Sequence, residues 1–388
     1  MSAWRIVLSE EMNLVKKLRN PEVLDRISSI DWFGRSDVGP YVVELDPTAA
    51  CDLACPGCIS EDVIAEGGRF SNERLLQFPK EFQETGIQAV ILIGGGEPLT
   101  HPRIGDFIVE CQSRDIHVGL TSNGTLIDRY LQEIATGCSW VRVSMDAGSQ
   151  GLFDKLRPAK SGRSVFDKVV QNMTNLAKVK TGVLGYSYLL QSPKDGEKVL
   201  ENIDDMLRAA KLARDIGCDY FEVKPTYAWR ENVPHALVVH EQSYLDRARE
   251  KVAQLDSLET DGFKIVHAIN LKYSLEGVQA LQIKEYHNCP SAQLRTLITP
   301  KGVYVCPYWR GKSRFKIGDV NMDEFSKVWN SSEKERVMNN LDPSRDCKFH
   351  CLRHDTNLTV LDLKAELERH GSPIHDQVSD RSSYDRFI

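Results

Sequence analysis

Three cysteines, Cys51, Cys55 and Cys58, fall within eight residues in the stretch DPTAACDLACPGCIS (46–60), with spacing C-x3-C-x2-C. A structural zinc ion is almost always four-coordinate. The nearest candidates for a fourth ligand, Asp52 and Glu61, are poor partners for a thiolate set. Iron–sulfur clusters are ordinarily held by four thiolates, so three leave one iron of a four-iron cluster open. An open metal position is where an external ligand binds, which points to chemistry rather than structure alone. Pro56 and Gly57 let the chain turn tightly around such a group. The alternative is a chance grouping in a loop.

A second set, Cys289, Cys306, Cys347 and Cys351, lies in the last hundred residues. Zinc ribbons offer two short C-x2-C pairs; this set has one short pair, and it is C-x3-C. Zinc, a second cluster and unrelated thiols all remain open for it. RTLITP and VYVCPY flank Lys301 and Gly302 and read as a hairpin, and 328–341 reads as one helix. Cys111, Cys138 and Cys218 are scattered singles whose ordinary reading is a buried small hydrophobe. His350 and His354 read as neighbours or surface residues rather than ligands.

The elements that position these residues follow a rhythm. Apolar runs at 41–45, 89–93, 116–122, 140–146, 185–191 and 220–225 read as strands. Helical patterns lie between them, at 72–85, 104–115 and 196–216. Alternation of this kind predicts an α/β chain with parallel strands and crossover helices, and six units suit an open or closed barrel. Active sites of such barrels gather at the C-terminal strand ends. Those ends carry GGGEP (94–98) and TSNG (121–124). Glycines there permit close backbone approach, and Glu97 suits an ammonium; a plain strand-to-helix turn is the alternative. The fourth strand puts Trp140, Arg142, Ser144 and Asp146 on one face, and the sixth puts Glu222 and Lys224 on one face. With helices covering the apolar faces, these polar faces point inward. They are costly there unless paired or functional, so a structural Glu222–Lys224 pair is the competing explanation.

The chain has 388 residues, 41% hydrophobic and 27% charged, with net charge −6. That is a globular profile with room for two domains, and it gives no hint of nucleic-acid or anionic-membrane partners. No apolar run nears the roughly 18 residues of a membrane span. Without a secretion signal, the cytoplasm is the expected compartment, where clustered cysteines mean metal or catalysis. The expected units are an N-terminal extension (1–35), a barrel (36–234), a helical connection lacking strand rhythm (235–285), and a cysteine-bearing C-terminal unit with a polar tail (286–388).

C-x3-C-x2-C after the first strand, GGEP after the second, TSNG after the third and VSMDA after the fourth together resemble the radical S-adenosylmethionine (radical SAM) superfamily, over about Val42 to Pro225. The resemblance implies a partial (β/α)6 TIM-like barrel and a [4Fe-4S] cluster on Cys51, Cys55 and Cys58 whose open iron takes S-adenosylmethionine. It implies that Gly95, Gly96 and Glu97 hold the cofactor's ammonium, that Thr121, Ser122 and Ser144 contact its carboxylate and ribose, and that Leu189 packs on its adenine. Where the family usually has an aromatic residue before the third cysteine, this chain has Gly57. Gly302, Cys306, IGDV and VWNS resemble the C-terminal auxiliary-cluster domains called SPASM and twitch. The full SPASM domain carries more cysteines and two clusters. Four cysteines here imply one auxiliary [4Fe-4S] cluster, on Cys289, Cys306, Cys347 and Cys351.

The implied activity begins with a 5′-deoxyadenosyl radical that removes a substrate hydrogen, after reduction by an external donor such as flavodoxin or ferredoxin. A fully ligated second cluster resembles that of twitch-type dehydrogenases. This implies oxidation of a secondary alcohol of a sugar or aminocyclitol, with Arg142, Glu222, Lys224 and Tyr227 as candidate base or substrate contacts. The rivals are a carbohydrate epimerase with Cys218 as hydrogen donor, a SPASM-type peptide-modifying enzyme, and a non-enzymatic iron–sulfur or zinc scaffold. Peptide modifiers usually add a recognition domain, for which forty leading residues are too few. A scaffold has no need of the ammonium pocket that GGGEP suggests.

Overall fold

A computed structural model describes residues 17–29, 31, 35–191, 201–230, 233–238, 240–277, 282–370 and 386–387. Six strands stand side by side in chain order, all parallel: β1 (Val42–Leu45), β2 (Ala89–Leu92), β3 (His117–Ser122), β4 (Cys138–Ser144), β5 (Val183–Leu189) and β6 (Tyr220–Lys224). These are the six expected strands, with ends moved by one or two residues. Parallel strands are covered on the helix side, so they read as apolar runs. Val141, Val143 and Met145 of the fourth unit are buried in the core between sheet and helices, as are Phe221 and Val223 of β6. Their even-numbered neighbours, Arg142 and Glu222, therefore face the barrel interior.

The helices Asn72–Glu84 and Ile104–Gln112 form where expected. Ser71 caps the first by accepting from Arg74 N at 3.1 Å. Of the third expected helix, Met206–Ile216 forms, and its first residues fall outside the described ones, as do most of the N-terminal extension and the tail.

The sheet does not stop at six strands. Its order is β12-β11-β10-β1-β2-β3-β4-β5-β6-β9. β9 (Lys264–His267) adds parallel to β6, within the span expected to be wholly helical. Four residues with charged ends carry too little alternation to announce a strand. A two-stranded ribbon, β7 (Tyr227–Arg230) and β8 (Val233–Leu237), precedes it. The expected C-terminal hairpin forms as β10 (Arg295–Thr299) and β11 (Gly302–Tyr304), followed by β12 (Lys316–Gly318). β10 pairs parallel with β1, so the hairpin continues the barrel sheet. The helix expected over 328–341 is two helices, Phe325–Trp329 and Ser332–Asn340. Ser331 breaks it by capping the second, accepting from Lys334 N at 3.1 Å. Among the described residues no helix is long and apolar enough to cross a membrane.

Candidate functional site

The loop carrying Cys51, Cys55 and Cys58 leaves the C-terminal end of β1, and the three thiols are free and half-buried. Cys58 N donates to Cys55 O at 3.3 Å, and Gly57 between them has φ +67°, closing a tight turn. The glycines after β2 press against this loop. Glu97 N donates to Ala50 O at 2.7 Å and Gly96 N to Thr48 O at 3.3 Å. A Cβ on Gly96 would stand 2.2 Å from Ala50 O, and one on Gly95 would stand 2.4 Å from Val63 Cγ1. The close approach that these glycines permit is therefore loop to loop, holding the cysteine loop against the strand ends.

Glu97 differs from expectation. Its side chain turns inward and is buried. Oε1 accepts from Ser122 Oγ (2.8 Å) and Leu99 N (3.2 Å), and Oε2 accepts from Asn123 N at 2.7 Å. Burial pushes its pKa up to about 7 against these donors. Glu97 ties the second strand end to the third. Ser122 is buried on the same side, serving Glu97, whereas Thr121 faces the interior and accepts from Arg142 Nη2 at 3.3 Å. A glutamine at position 97 keeps one acceptor oxygen and sets an NH2 against a donor. Glu97→Gln is expected to cost about 1–3 kcal/mol, read as a lower urea midpoint, with iron loading retained. An unchanged midpoint would show that the brace is dispensable.

Three residues not singled out from the sequence buttress the cysteine loop. Asn123 Nδ2 donates to Asp52 Oδ1 (2.7 Å) and stands 3.9 Å from Cys51 Sγ; Thr125 Oγ1 donates to Asp52 Oδ2 (2.6 Å). On the other flank Asp146, at φ +56°, accepts from Leu189 N (2.8 Å) and from Arg157 Nε (2.9 Å). Burial opposes the Arg157 charge, but Asp146 and then Cys55 keep it firmly protonated. Asn123 belonged to the TSNG stretch and was legible as polar; Arg157 had no spacing signal. Three half-buried thiols on one braced loop, beside a buried guanidinium, suit an anionic thiolate-held cluster.

The barrel interior carries a line of charge. Arg142 Nη1 lies 3.2 Å from Glu222 Oε2, and Lys224 Nζ lies 3.6 Å from the same oxygen. Burial works against the Glu222 carboxylate, but Lys224 and Arg142 hold its pKa below the usual range. Burial, then Arg142, pushes Lys224 down to about 8. The structure thus brings together three of the four candidate substrate residues. The fourth, Tyr227, accepts from Asn270 Nδ2 at 2.9 Å, and Asn270 also donates to His350 O. Burial pushes the Tyr227 pKa upward. Leu189 stands in register with Lys224, and Ser144 with Ser187. Glu44 of β1 is buried and pairs with Arg295 at 2.8 Å and with Arg353.

The C-terminal cysteines line one cavity, with Lys284, Arg353 and Asn357 among its other walls. Asn357 Nδ2 stands 3.6 Å from Cys289 Sγ, Arg353 N 3.4 Å from Cys351 Sγ, and Arg353 Nη1 3.8 Å from Cys306 Sγ. Among the described residues no group of three or more His, Cys, Asp or Glu side chains is arranged to hold a single metal ion. His350 is buried outside this lining, and His354 bonds Tyr286 Oη at 3.1 Å. Cys218 is buried in the core at the N-terminal end of β6, away from the strand ends that carry the site.

Residues 45–203 match the model of the radical SAM superfamily. The mycofactocin maturase MftC of Mycobacterium tuberculosis (strain H37Rv) is 23% identical over 322 residues, spanning 80% of this chain and 75% of that protein. Among solved structures, Streptococcus suis SuiB bound to the precursor peptide SuiA aligns with TM-score 0.56 at 15% identity, over 77% of this chain and 66% of that one. The structure of anSMEcpe with bound AdoMet and Cp18Cys peptide aligns with TM-score 0.55 at 14% identity, over 85% of this chain and 97% of that one. At these identities the structural matches speak for the fold.

Proposed function

We propose that this chain, whose residues 45–203 match the radical SAM superfamily, is a radical SAM enzyme that oxidises its substrate, with the C-terminal cysteines holding the electron acceptor. The S-adenosylmethionine and [4Fe-4S] cluster that the family binds supply a 5′-deoxyadenosyl radical that takes a hydrogen atom from a C–H bond. In this reading Cys51, Cys55 and Cys58 hold that cluster. Gly95, Gly96, Thr121, Ser144 and Leu189 line the cofactor, and Glu97 and Ser122 brace the loops around it. Arg142 and Glu222 orient a polar substrate. Lys224, with its pKa lowered to about 8, accepts the hydroxyl proton, since a base works best near the operating pH. Cys289, Cys306, Cys347 and Cys351 would hold a second cluster, which would supply the acceptor for the remaining electron. Hydrogen atom, proton and electron then account for a two-hydrogen oxidation.

The observation that carries this reading is Arg353. One guanidinium reaches both Cys306 Sγ and Glu44 of the first barrel strand, so the second cysteine set stands one side chain away from the barrel interior. The charged interior favours a polar substrate, of which a sugar or aminocyclitol secondary alcohol is one form. A peptide substrate is the second reading, favoured by the similarity to mycofactocin maturases along 80% of the chain. The buried position of Cys218 speaks against its use as a hydrogen donor. Loaded enzyme, incubated anaerobically with a strong reductant and panels of aminocyclitols, sugars and short peptides, is expected to release 5′-deoxyadenosine and a product two mass units lighter than substrate. A product of unchanged mass carrying solvent deuterium would establish epimerisation instead.

A further inference from the structure

We propose that Lys284, helped by Arg353 and Asn357, raises the reduction potential of the group held by the four C-terminal cysteines, so that it works as an electron acceptor. The proposal rests on the acceptor reading above and names the residues that make it run downhill.

Lys284 is 1% exposed. Its ammonium donates to Gln282 O (2.9 Å), Gln282 Oε1 (3.2 Å) and Phe349 O, and lies 5.5 Å from the Phe349 ring centroid. These are neutral partners. Among the described residues no carboxylate pairs with it. A buried charge is costly unless an opposite charge faces it. Burial pushes the Lys284 pKa down; the ionisable groups that favour its charge are the thiols of Cys351 and Cys347, and Lys284 lines the cavity that they share with Cys289 and Cys306. The missing counter-charge is therefore the thiolate set and what it holds.

A cluster held by four thiolates is a net anion and becomes more negative on reduction. A fixed nearby cation stabilises the reduced form more than the oxidised one, and hydrogen bonds to the sulfurs act in the same direction. Lys284 supplies the first effect. Asn357 Nδ2 toward Cys289, and Arg353 through its backbone N toward Cys351 and its side chain toward Cys306, supply the second. Arg353 is shared with Glu44, so part of its charge is spent inside the barrel. Lys284 has no such competitor, which makes it the position to test.

The test is an EPR-monitored redox titration of the full-length, iron-loaded protein, wild type against Lys284→Gln, Lys284→Arg and Arg353→Gln. Cys51, Cys55 and Cys58 are changed to Ala in a parallel set to assign the signal. Lys284→Gln is expected to weaken the one-electron reduction equilibrium of the C-terminal group about tenfold, a fall of about 59 mV. Lys284→Arg should stay near wild type, and Arg353→Gln should fall by less than Lys284→Gln. An unchanged potential in Lys284→Gln with full iron content would overturn the proposal. Loss of the iron in that variant would overturn it too, assigning Lys284 to assembly. The acceptor reading fails separately: the potential would fall in Lys284→Gln while oxidised product per 5′-deoxyadenosine stays at the wild-type ratio.

Discussion

Replacing Cys289, Cys306, Cys347 and Cys351 by Ala is expected to leave 5′-deoxyadenosine formation measurable while oxidised product falls at least a hundredfold. The first step needs only the loop of Cys51, Cys55 and Cys58, which is braced at Asp52 by Asn123 and Thr125 and has Arg157 beside Cys55. None of those braces touches the second set. A substrate radical formed in the barrel must then lose an electron, and the chain carries no dinucleotide-binding fingerprint to hold another acceptor. The reciprocal change, Cys51, Cys55 and Cys58 to Ala, is expected to abolish both products while the C-terminal group keeps its iron. Metal binding and folding are coupled, so circular dichroism accompanies each assay. Equal loss of 5′-deoxyadenosine in a folded variant of the C-terminal set would show that this set serves an earlier step. Undiminished product would show that it takes no part in electron removal.

Much of the site was legible because its signals are local. C-x3-C-x2-C lies in one loop, and the six parallel strands are apolar runs bounded by turns. The inward placement of Arg142, Glu222 and Lys224 followed from alternation along β4 and β6 alone. What stayed hidden depends on direction or on distant pairing. Nothing in GGGEP says that Glu97 turns toward Ser122 and Asn123, since a strand-end carboxylate can point either way. Arg157, Lys284 and Arg353 are single basic residues with no spacing to mark them. The pairing of β10 with β1 joins residues about 250 positions apart, as in Arg295 with Glu44. Sequence reading set the hairpin in a unit of its own for that reason. The four C-terminal cysteines were nevertheless grouped correctly in space, because short helices and turns deliver them to a single cavity.

Glu44→Gln is expected to destabilise the protein by about 3–5 kcal/mol, the range for breaking a buried ion pair from one side. Glu44 is 3% exposed, and Arg295 and Arg353 both pair with it, with Arg310 close enough to favour its charge. Burial disfavours the carboxylate, yet Arg295, then Arg353 and Arg310, hold its pKa below the usual glutamate range. A depressed carboxylate pKa stabilises the fold above the unfolded-state value and loses that contribution as pH falls through the folded one. At neutral pH the full contribution is therefore present. The neutral amide removes the carboxylate charge that lies between the buried guanidinium groups of Arg295 and Arg353. An exposed pair is the control: Glu333→Gln, opposite Arg336 with both side chains about half exposed, should cost under about 1 kcal/mol. Urea midpoints measured anaerobically at matched iron content separate the two. Should Glu44→Gln match the Glu333→Gln control, the Arg295–Glu44–Arg353 bridge would carry no stability. If it is destabilised as expected, the Glu44 bridge is an electrostatic tie between the barrel and the C-terminal cysteines, since Arg353 also touches Cys306.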